Sequence, residues 1–264
     1  MTSGGKVVDI NGWTVWYEKF GTGPEIMLFL PDAIGSGRQD FIHQLEGPQS
    51  FSHNEYTIIV MDLPGWGRSR PPERPYGQNV YVNDADVAAR LMEILCYKNY
   101  ILFCFGEGGK VGLTMSVRYP SRIKGLVLIS IFMIISPETV APILATVNTR
   151  KWIQEMRDNY LPVYGNQDSS LQNMWDKYID FLKSTTETCP NGFVIESDKL
   201  ESIGCPILII HGNQDQLISL DHPKYIDKYV PDCQLHSFPN GGHNCHQRYP
   251  VSVKRISELF FISL

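Results

Sequence analysis

Three stretches of this chain hold residue types suited to acyl transfer, and the chemistry they spell is incomplete. A Ser-His-Asp hydrolase on a parallel sheet sets its nucleophile on a tight strand-to-helix turn, G-x-S-x-G, so that the hydroxyl stands clear of the sheet. Here the apolar run Tyr100-Ile101-Leu102-Phe103-Cys104 leads into Phe105-Gly106-Glu107-Gly108-Gly109, ahead of a helical pattern. Cys104 takes the place of the motif's first glycine, Gly106 that of the serine and Gly108 that of the last glycine. The nucleophile is absent. The other two members of a triad follow in the expected chain order, acid before base. Asp215 closes His211-Gly212-Asn213-Gln214-Asp215 directly after an apolar run, and His243 closes Pro239-Asn240-Gly241-Gly242-His243 after another. A lone loop Asp is usually a turn residue, and a lone His a satisfied polar group. Their common order and spacing instead predict that Asp215 and His243 hydrogen-bond beside Gly106.

Such loops need a sheet to carry them. Val7 to Ile10, the Asn11-Gly12 turn and the alternating Thr14 to Phe20 predict an N-terminal β-hairpin, since Asn-Gly accepts the positive φ of tight turns. Short apolar runs at Ile26–Leu30, Thr57–Met61, Tyr100–Cys104, Gly125–Ile131, Ile207–His211 and Gln234–Phe238 read as strands buried on both faces. Helical patterns at Asn83–Tyr97, Gly108–Tyr119 and Val251–Phe261 alternate with them, which implies a parallel sheet with helices on both sides. Residues 136–196 break the rhythm, with helical patterns near Pro137–Asn159 and Ser169–Ser184. They are expected to form a cap inserted in a core made of residues 1–135 and 197–264. Trp152, Tyr160, Tyr164, Trp175, Tyr178 and Phe181 in the cap either roof an apolar pocket or are plain core.

Composition narrows the partners. The 264 residues suit one large domain, and 43% apolar content is enough for a buried core. With a net charge of −5 and dispersed basic residues, no stripe suited to nucleic acid is present. The longest apolar run, Leu126 to Ile135, is about half of the ~20 residues a membrane span requires. The opening residues have neither the apolar core of a secretory signal nor the Arg-rich pattern of a transit peptide, so a cytoplasmic location is expected. Six cysteines lie far apart without a C-x-x-C pair and are expected to be reduced, and neither a metal nor another cofactor is expected.

Leu30-Pro31-Asp32-Ala33-Ile34-Gly35-Ser36-Gly37, Asp62-Leu63-Pro64-Gly65-Trp66-Gly67-Arg68-Ser69, the elbow, His211 to Asp215 and Gly242-His243-Asn244 together resemble the α/β-hydrolase superfamily. Within it they resemble the valacyclovirase, or biphenyl hydrolase-like, serine hydrolases, over nearly the whole length. The resemblance implies an eight-stranded, mostly parallel sheet with an N-terminal antiparallel hairpin, helices on both faces and a helical cap. It implies Ala33 and Glu107 as backbone oxyanion donors, and an acid after the nucleophile, here Glu107, that recognises a substrate amine. It makes the Asp62-to-Ser69 stretch a turn at the sheet's C-terminal edge, read as structural.

Three departures point away from catalysis. Gly106 removes the hydroxyl, so no acyl-enzyme can form there. Cys104 replaces a small elbow residue, and Asp32 puts a carboxylate where the oxyanion turn carries glycine. A buried thiol without a positive neighbour is a poor substitute nucleophile. The expected function is that of a non-catalytic module for binding or structure, with a protein partner or assembly, and with Asp32 and Glu107 favouring a small cationic or amino-ester ligand. For Glu107 a solvated side chain at a helix start is the competing expectation. The rival function is a weak or non-classical hydrolase of small esters that uses His243 and Asp215. A ligand-sized cavity under the cap favours an enzyme or receptor, and a filled one favours the module.

Overall fold

A computed structural model describes residues 4–188 and 195–264. Its strands are β1 (Lys6–Ile10), β2 (Trp13–Phe20), β3 (Glu25–Leu30), β4 (Tyr56–Met61), β5 (Tyr100–Phe105), β6 (Ile123–Ile129), β7 (Ile207–Gly212) and β8 (Cys233–Phe238). They form one eight-stranded sheet in the order β1-β2-β4-β3-β5-β6-β7-β8. Pairing is antiparallel for β1 with β2 and for β2 with β4, and parallel elsewhere. Asn11 and Gly12 take φ of 54° and 83° and bring Ile10 opposite Trp13, as the Asn-Gly signal requires.

The helices are α1 (Gly37–Asp40), α2 (Ile42–Leu45), α3 (Val80–Ile94), α4 (Glu107–Arg118), α5 (Pro137–Leu144), α6 (Gln154–Tyr160), α7 (Asp168–Thr188), α8 (Ser197–Glu201), α9 (Asp221–Tyr229), α10 (Cys245–Arg248) and α11 (Pro250–Phe261). Alternate strand residues feed two separate apolar clusters. Leu28, Leu102 and Leu126 enter one, and Phe29, Phe103 and Val127 enter the other. This two-sided burial explains why β4, β5 and β7 read as continuous apolar runs instead of alternating ones.

The interval between β6 and β7 departs from the expected pair of helices. The pattern from Pro137 to Asn159 divides into α5 and α6, separated by a 3₁₀ turn at Thr149–Lys151 that Asn148 caps through Arg150 N–H. Short helices α1, α2, α8, α9 and α10 have too few turns for an apolar period to show. Among the described residues, no helix is long and apolar enough to cross a membrane. The five described cysteines are unpaired, and Cys189 lies outside the described residues.

Sheet topology places the site. The chain leaves β3 toward β4 on one side and later returns to β5 on the other, so the loops after β3 and β5 diverge. A crevice at the C-terminal ends of the strands forms at such a switch point. Asp32 follows β3, Gly106 follows β5, Asp215 follows β7 and His243 follows β8.

Candidate active site with an occupied oxyanion hole

Gly106 sits at the elbow between β5 and α4 with φ 49° and ψ −114°. Positive φ is costly for a side-chain-bearing residue and free for glycine. Close packing secures the turn from below. A Cβ at Gly108 would meet the Leu30 carbonyl oxygen at 2.3 Å, and one at Gly112 would meet Cys104 Sγ at 2.6 Å. Cys104 is thus a packing residue against α4. Burial pushes its thiol well above the ordinary range, which leaves no thiolate to replace the missing serine.

The space over the elbow is filled by Asp32. An ideal Cβ on Gly106 would fall 1.9 Å from Asp32 Oδ1 and 2.2 Å from its Cγ. That oxygen accepts from the Glu107 N–H at 2.7 Å, and the neighbouring Ala33 backbone helps to keep the Asp32 carboxyl ionised. One of the two backbone donors expected to hold an oxyanion, the Glu107 N–H, therefore holds a side chain of the protein itself. Asp32 is fixed in turn by its own N–H, which donates to Asp40 Oδ2 at 2.9 Å, and by its carbonyl, which accepts from Gly35 N–H at 2.9 Å.

His243 and Asp215 meet as their chain order implied. Nδ1 of His243 lies 2.9 Å from Asp215 Oδ2, while Nε2, the nitrogen that would face a nucleophile, lies 3.2 Å from Asp32 Oδ2. Asp215 is oriented by the N–H groups of Leu217 and Ile218 at 2.9 and 3.0 Å. Burial alone would lower the His243 pKa, but the two flanking carboxylates prevail and raise it to about 10. For Asp32 and Asp215, burial acts upward. Contact with His243 and with backbone N–H groups outweighs it and holds both below the usual carboxylate range. Asp40 differs: burial, with the charges of Asp32 and Asp62 added, pushes it up to about 8 against the bond from Asp32 N–H. At neutral pH the site is a carboxylate–imidazolium–carboxylate row beside a protonated Asp40.

Glu107 requires a correction. Its side chain is not solvated at the helix start but buried at the cavity's edge. It is 1% exposed, forms an ion pair with the fully buried Lys110, and accepts from Tyr81 and Tyr178 hydroxyls at 2.7 and 2.8 Å. Lys110 lies one helical turn on, at i+3, and burial lowers its pKa while Glu107 opposes that shift. The Glu-x-x-Lys spacing was visible in the sequence, but α4 is buried on both sides, so the pair closed inward. Tyr178 thereby ties α7 to the elbow helix α4. Asp40 carried no comparable signal, because it lies in a short loop helix.

The turn from Asp62 to Ser69 is structural. Asp62 accepts from Gly37 N–H at 2.8 Å, Arg68 N–H at 2.7 Å and Arg68 Nε at 2.9 Å, and the Ser69 hydroxyl donates to the Asp62 carbonyl at 2.6 Å. The Tyr164 hydroxyl accepts from Gly67 N–H at 2.9 Å and donates to the Ile34 carbonyl at 2.7 Å, pinning the oxyanion loop.

Above the row lies a cavity of about 540 Å³, within the range of small-molecule sites. Four of the six cap aromatics, Trp152, Tyr160, Trp175 and Tyr178, line it. Tyr164 serves the clamp just described, and Phe181 stacks on Tyr76 with ring centroids 5.0 Å apart, so these two are framework. Among the described residues, no group of three or more His, Cys, Asp or Glu is placed to hold a metal.

These features agree with comparisons to known proteins. A family model described as alpha/beta hydrolase fold matches residues 28–163. The chain is 30% identical over 253 residues to the serine hydrolase BPHL of Mus musculus, covering 96% of this chain and 84% of that protein, and 30% identical over 255 residues to its Homo sapiens counterpart, with the same coverage. A solved serine hydrolase involved in carbazole degradation superposes with a TM-score of 0.77 at 16% identity, over 98% of this chain and 99% of that one. A meta-cleavage product hydrolase from Pseudomonas fluorescens IP01 superposes at 0.74 with 19% identity, over 98% of each. The chain belongs to the α/β-hydrolase family and, within it, resembles BPHL.

Proposed function

We propose that this chain is a small-molecule-binding member of the α/β-hydrolase family that has given up serine-based acyl transfer. The position of the Asp32 carboxylate carries this reading: it fills the space over Gly106, takes the Glu107 N–H and faces His243 Nε2. Each step of ester cleavage then lacks its agent. No hydroxyl stands at the elbow, the Glu107 N–H is already taken by Asp32, and the imidazole is already protonated. Loss of a triad nucleophile alone costs on the order of 10⁶ in turnover in the studied case. Water activation by His243 is disfavoured on the same ground, since an imidazolium cannot take a proton.

The cavity of about 540 Å³ favours a ligand over a purely structural role, because a scaffold gains nothing from leaving such a space unpacked. The test pairs a fluorophosphonate probe with small-ester hydrolysis at neutral pH. Neither stoichiometric labelling nor turnover above the buffer rate is expected. Labelling of any serine, or burst release of the alcohol, would restore the serine-hydrolase reading.

A further inference from the structure

Two kinds of surface meet in the cavity above the row. One is aromatic: Trp152, Trp175 and Tyr178 stand in sequence, with neighbouring ring centroids 4.9 and 5.2 Å apart. Their polar atoms are engaged elsewhere. Both indole N–H groups donate to the Thr146 carbonyl, at 2.9 and 3.2 Å, and the Tyr178 hydroxyl donates to Glu107 at 2.8 Å. A ligand on this side meets carbon and π surface.

The other surface is polar. Asp40 at the end of α1, Asn159 and Tyr160 at the end of α6, and Asn244 and Gln247 at α10 line it. These elements meet, since α1 packs against α6 and Gln247 Nε2 donates to the Asp40 carbonyl at 2.9 Å. The corner carries no charge of its own at neutral pH. Asp40 keeps its proton, and burial, with Asp40 and Asp32 nearby, pushes the Tyr160 hydroxyl well above its ordinary range. Asn148, Lys151 and Gln216 also line the cavity but are exposed, so water screens the Lys151 charge.

What distinguishes this corner is its unused hydrogen-bonding capacity. Among the described residues, none pairs with the Tyr160 hydroxyl, with the side-chain amides of Asn159 and Asn244, or with Gln247 Oε1. None of these atoms is sealed in the interior; each keeps contact with open space. The capacity is two-sided: each asparagine amide offers N–H donors and an acceptor oxygen, Tyr160 does both through one atom, and Gln247 Oε1 accepts. An ammonium ligand satisfies the acceptors and leaves the donors idle. A carboxylate does the reverse and also meets Asp32. A hydroxyl donates and accepts at one atom, and adjacent hydroxyls on a ring serve several such neighbours at once.

Resting on the small-molecule reading above, we infer that the cavity takes a neutral polyhydroxylated ring, the chemistry of a monosaccharide glycoside, whose hydroxyls pair with Asn159, Tyr160, Asn244 and Gln247 while its C–H face lies on Trp152 and Trp175. The volume of about 540 Å³ leaves room for an aryl aglycone beside the ring.

Isothermal titration calorimetry of the intact protein with one phenoxy group on different heads tests this. The heads are glucopyranosyl, cyclohexyl, piperidin-4-yl, glucuronosyl and acetamide. The glucoside is expected to bind about tenfold more tightly than the cyclohexyl ether of similar shape, the net worth of two or three hydrogen bonds, and more tightly than the other three. Tyr160→Phe and Asn244→Leu are each expected to weaken the glucoside several-fold without weakening the cyclohexyl ether. A cyclohexyl ether that matches the glucoside, tightest binding by the piperidine, glucuronide or acetamide, or a glucoside indifferent to both substitutions would each overturn the inference while leaving small-molecule binding intact. If no head binds at all, the small-molecule reading itself fails.

Discussion

Asp32 and Gly106 occupy one another's space: a Cβ at position 106 would fall 1.9 Å from Asp32 Oδ1, so the carboxylate can lie where it does only because residue 106 is glycine. Neither departure from the hydrolase pattern is independent of the other. Glycine leaves the volume open, and the carboxylate that fills it takes the Glu107 N–H and lies against His243 Nε2.

This interlock sets the outcome of restoring the serine. Gly106→Ser should give no measurable esterase activity. It should lower stability by about 2.5–6 kcal/mol, combining strain at positive φ, ~1–3 kcal/mol, with one displaced charged hydrogen bond, from the Glu107 N–H to Asp32, worth about 1.5–3 kcal/mol. Gly106→Ala should cost about the same, since the Cβ is responsible and not the hydroxyl. Urea unfolding of the three proteins checks this, and a midpoint unchanged in either variant would show that Asp32 moves aside freely.

The double change Gly106→Ser with Asp32→Gly frees the Glu107 N–H, opens the space and removes one of the carboxylates that hold His243 protonated. It should be more stable than Gly106→Ser alone and should hydrolyse p-nitrophenyl acetate measurably above the buffer rate, which that single variant does not. Equal rates would mean that Cys104 or another feature has distorted the elbow.

The buried Glu107–Lys110 pair makes a separate prediction. Lys110→Met leaves a buried carboxylate without its cation and should destabilise the protein by about 3–5 kcal/mol. Adding Glu107→Leu removes the orphaned charge and should recover much of that loss, because replacing both members of a buried pair with apolar residues is often near neutral. The readout is chemical denaturation, and additive losses would show that the pair is not coupled.

Much of this was legible in the sequence because it rests on local signals. The Asn11-Gly12 hairpin, the buried strands and the elbow frame all follow from turn chemistry and apolar runs, and the order of Asp215 and His243 placed them at adjacent strand ends. The fate of the carboxylates was not legible. Whether Asp32 points to solvent, a ligand or the Glu107 N–H depends on loops after β3 and β5, 75 residues apart, meeting at the switch point. The solvated reading of Glu107 fails for a similar reason: a helix start is usually exposed, but Tyr178 and Tyr81 enclose this one. The helix break at Thr149–Lys151 was missed because the apolar period continues on both sides of it.

Stability should fall as pH rises above neutrality. His243 titrates near 6.5 when unfolded and about 10 when folded, so its contribution is complete below 6.5 and is lost as pH climbs toward 10. Asp40, raised from 3.8 to about 8, acts in the same direction over its own window. Asp32 and Asp215, both lowered, act oppositely: their contribution is present above 3.8 and is lost as pH falls through their folded values. Between pH 7 and 10 the proton retained by His243 gives a slope of up to about 1.4 kcal/mol per pH unit. Unfolding free energies across this range check it, and Asp32→Ala should flatten the dependence.

The central claim is that His243 is held as an imidazolium between Asp32 and Asp215 and is not a base awaiting a nucleophile. Nitrogen-15 NMR of the His243 ring across a pH titration tests it most directly. Both ring nitrogens should be protonated at neutral pH, with a midpoint at about 10. A neutral ring at pH 7.5, with a midpoint near the ordinary 6.5, would contradict the claim and return His243 to the role of an available base.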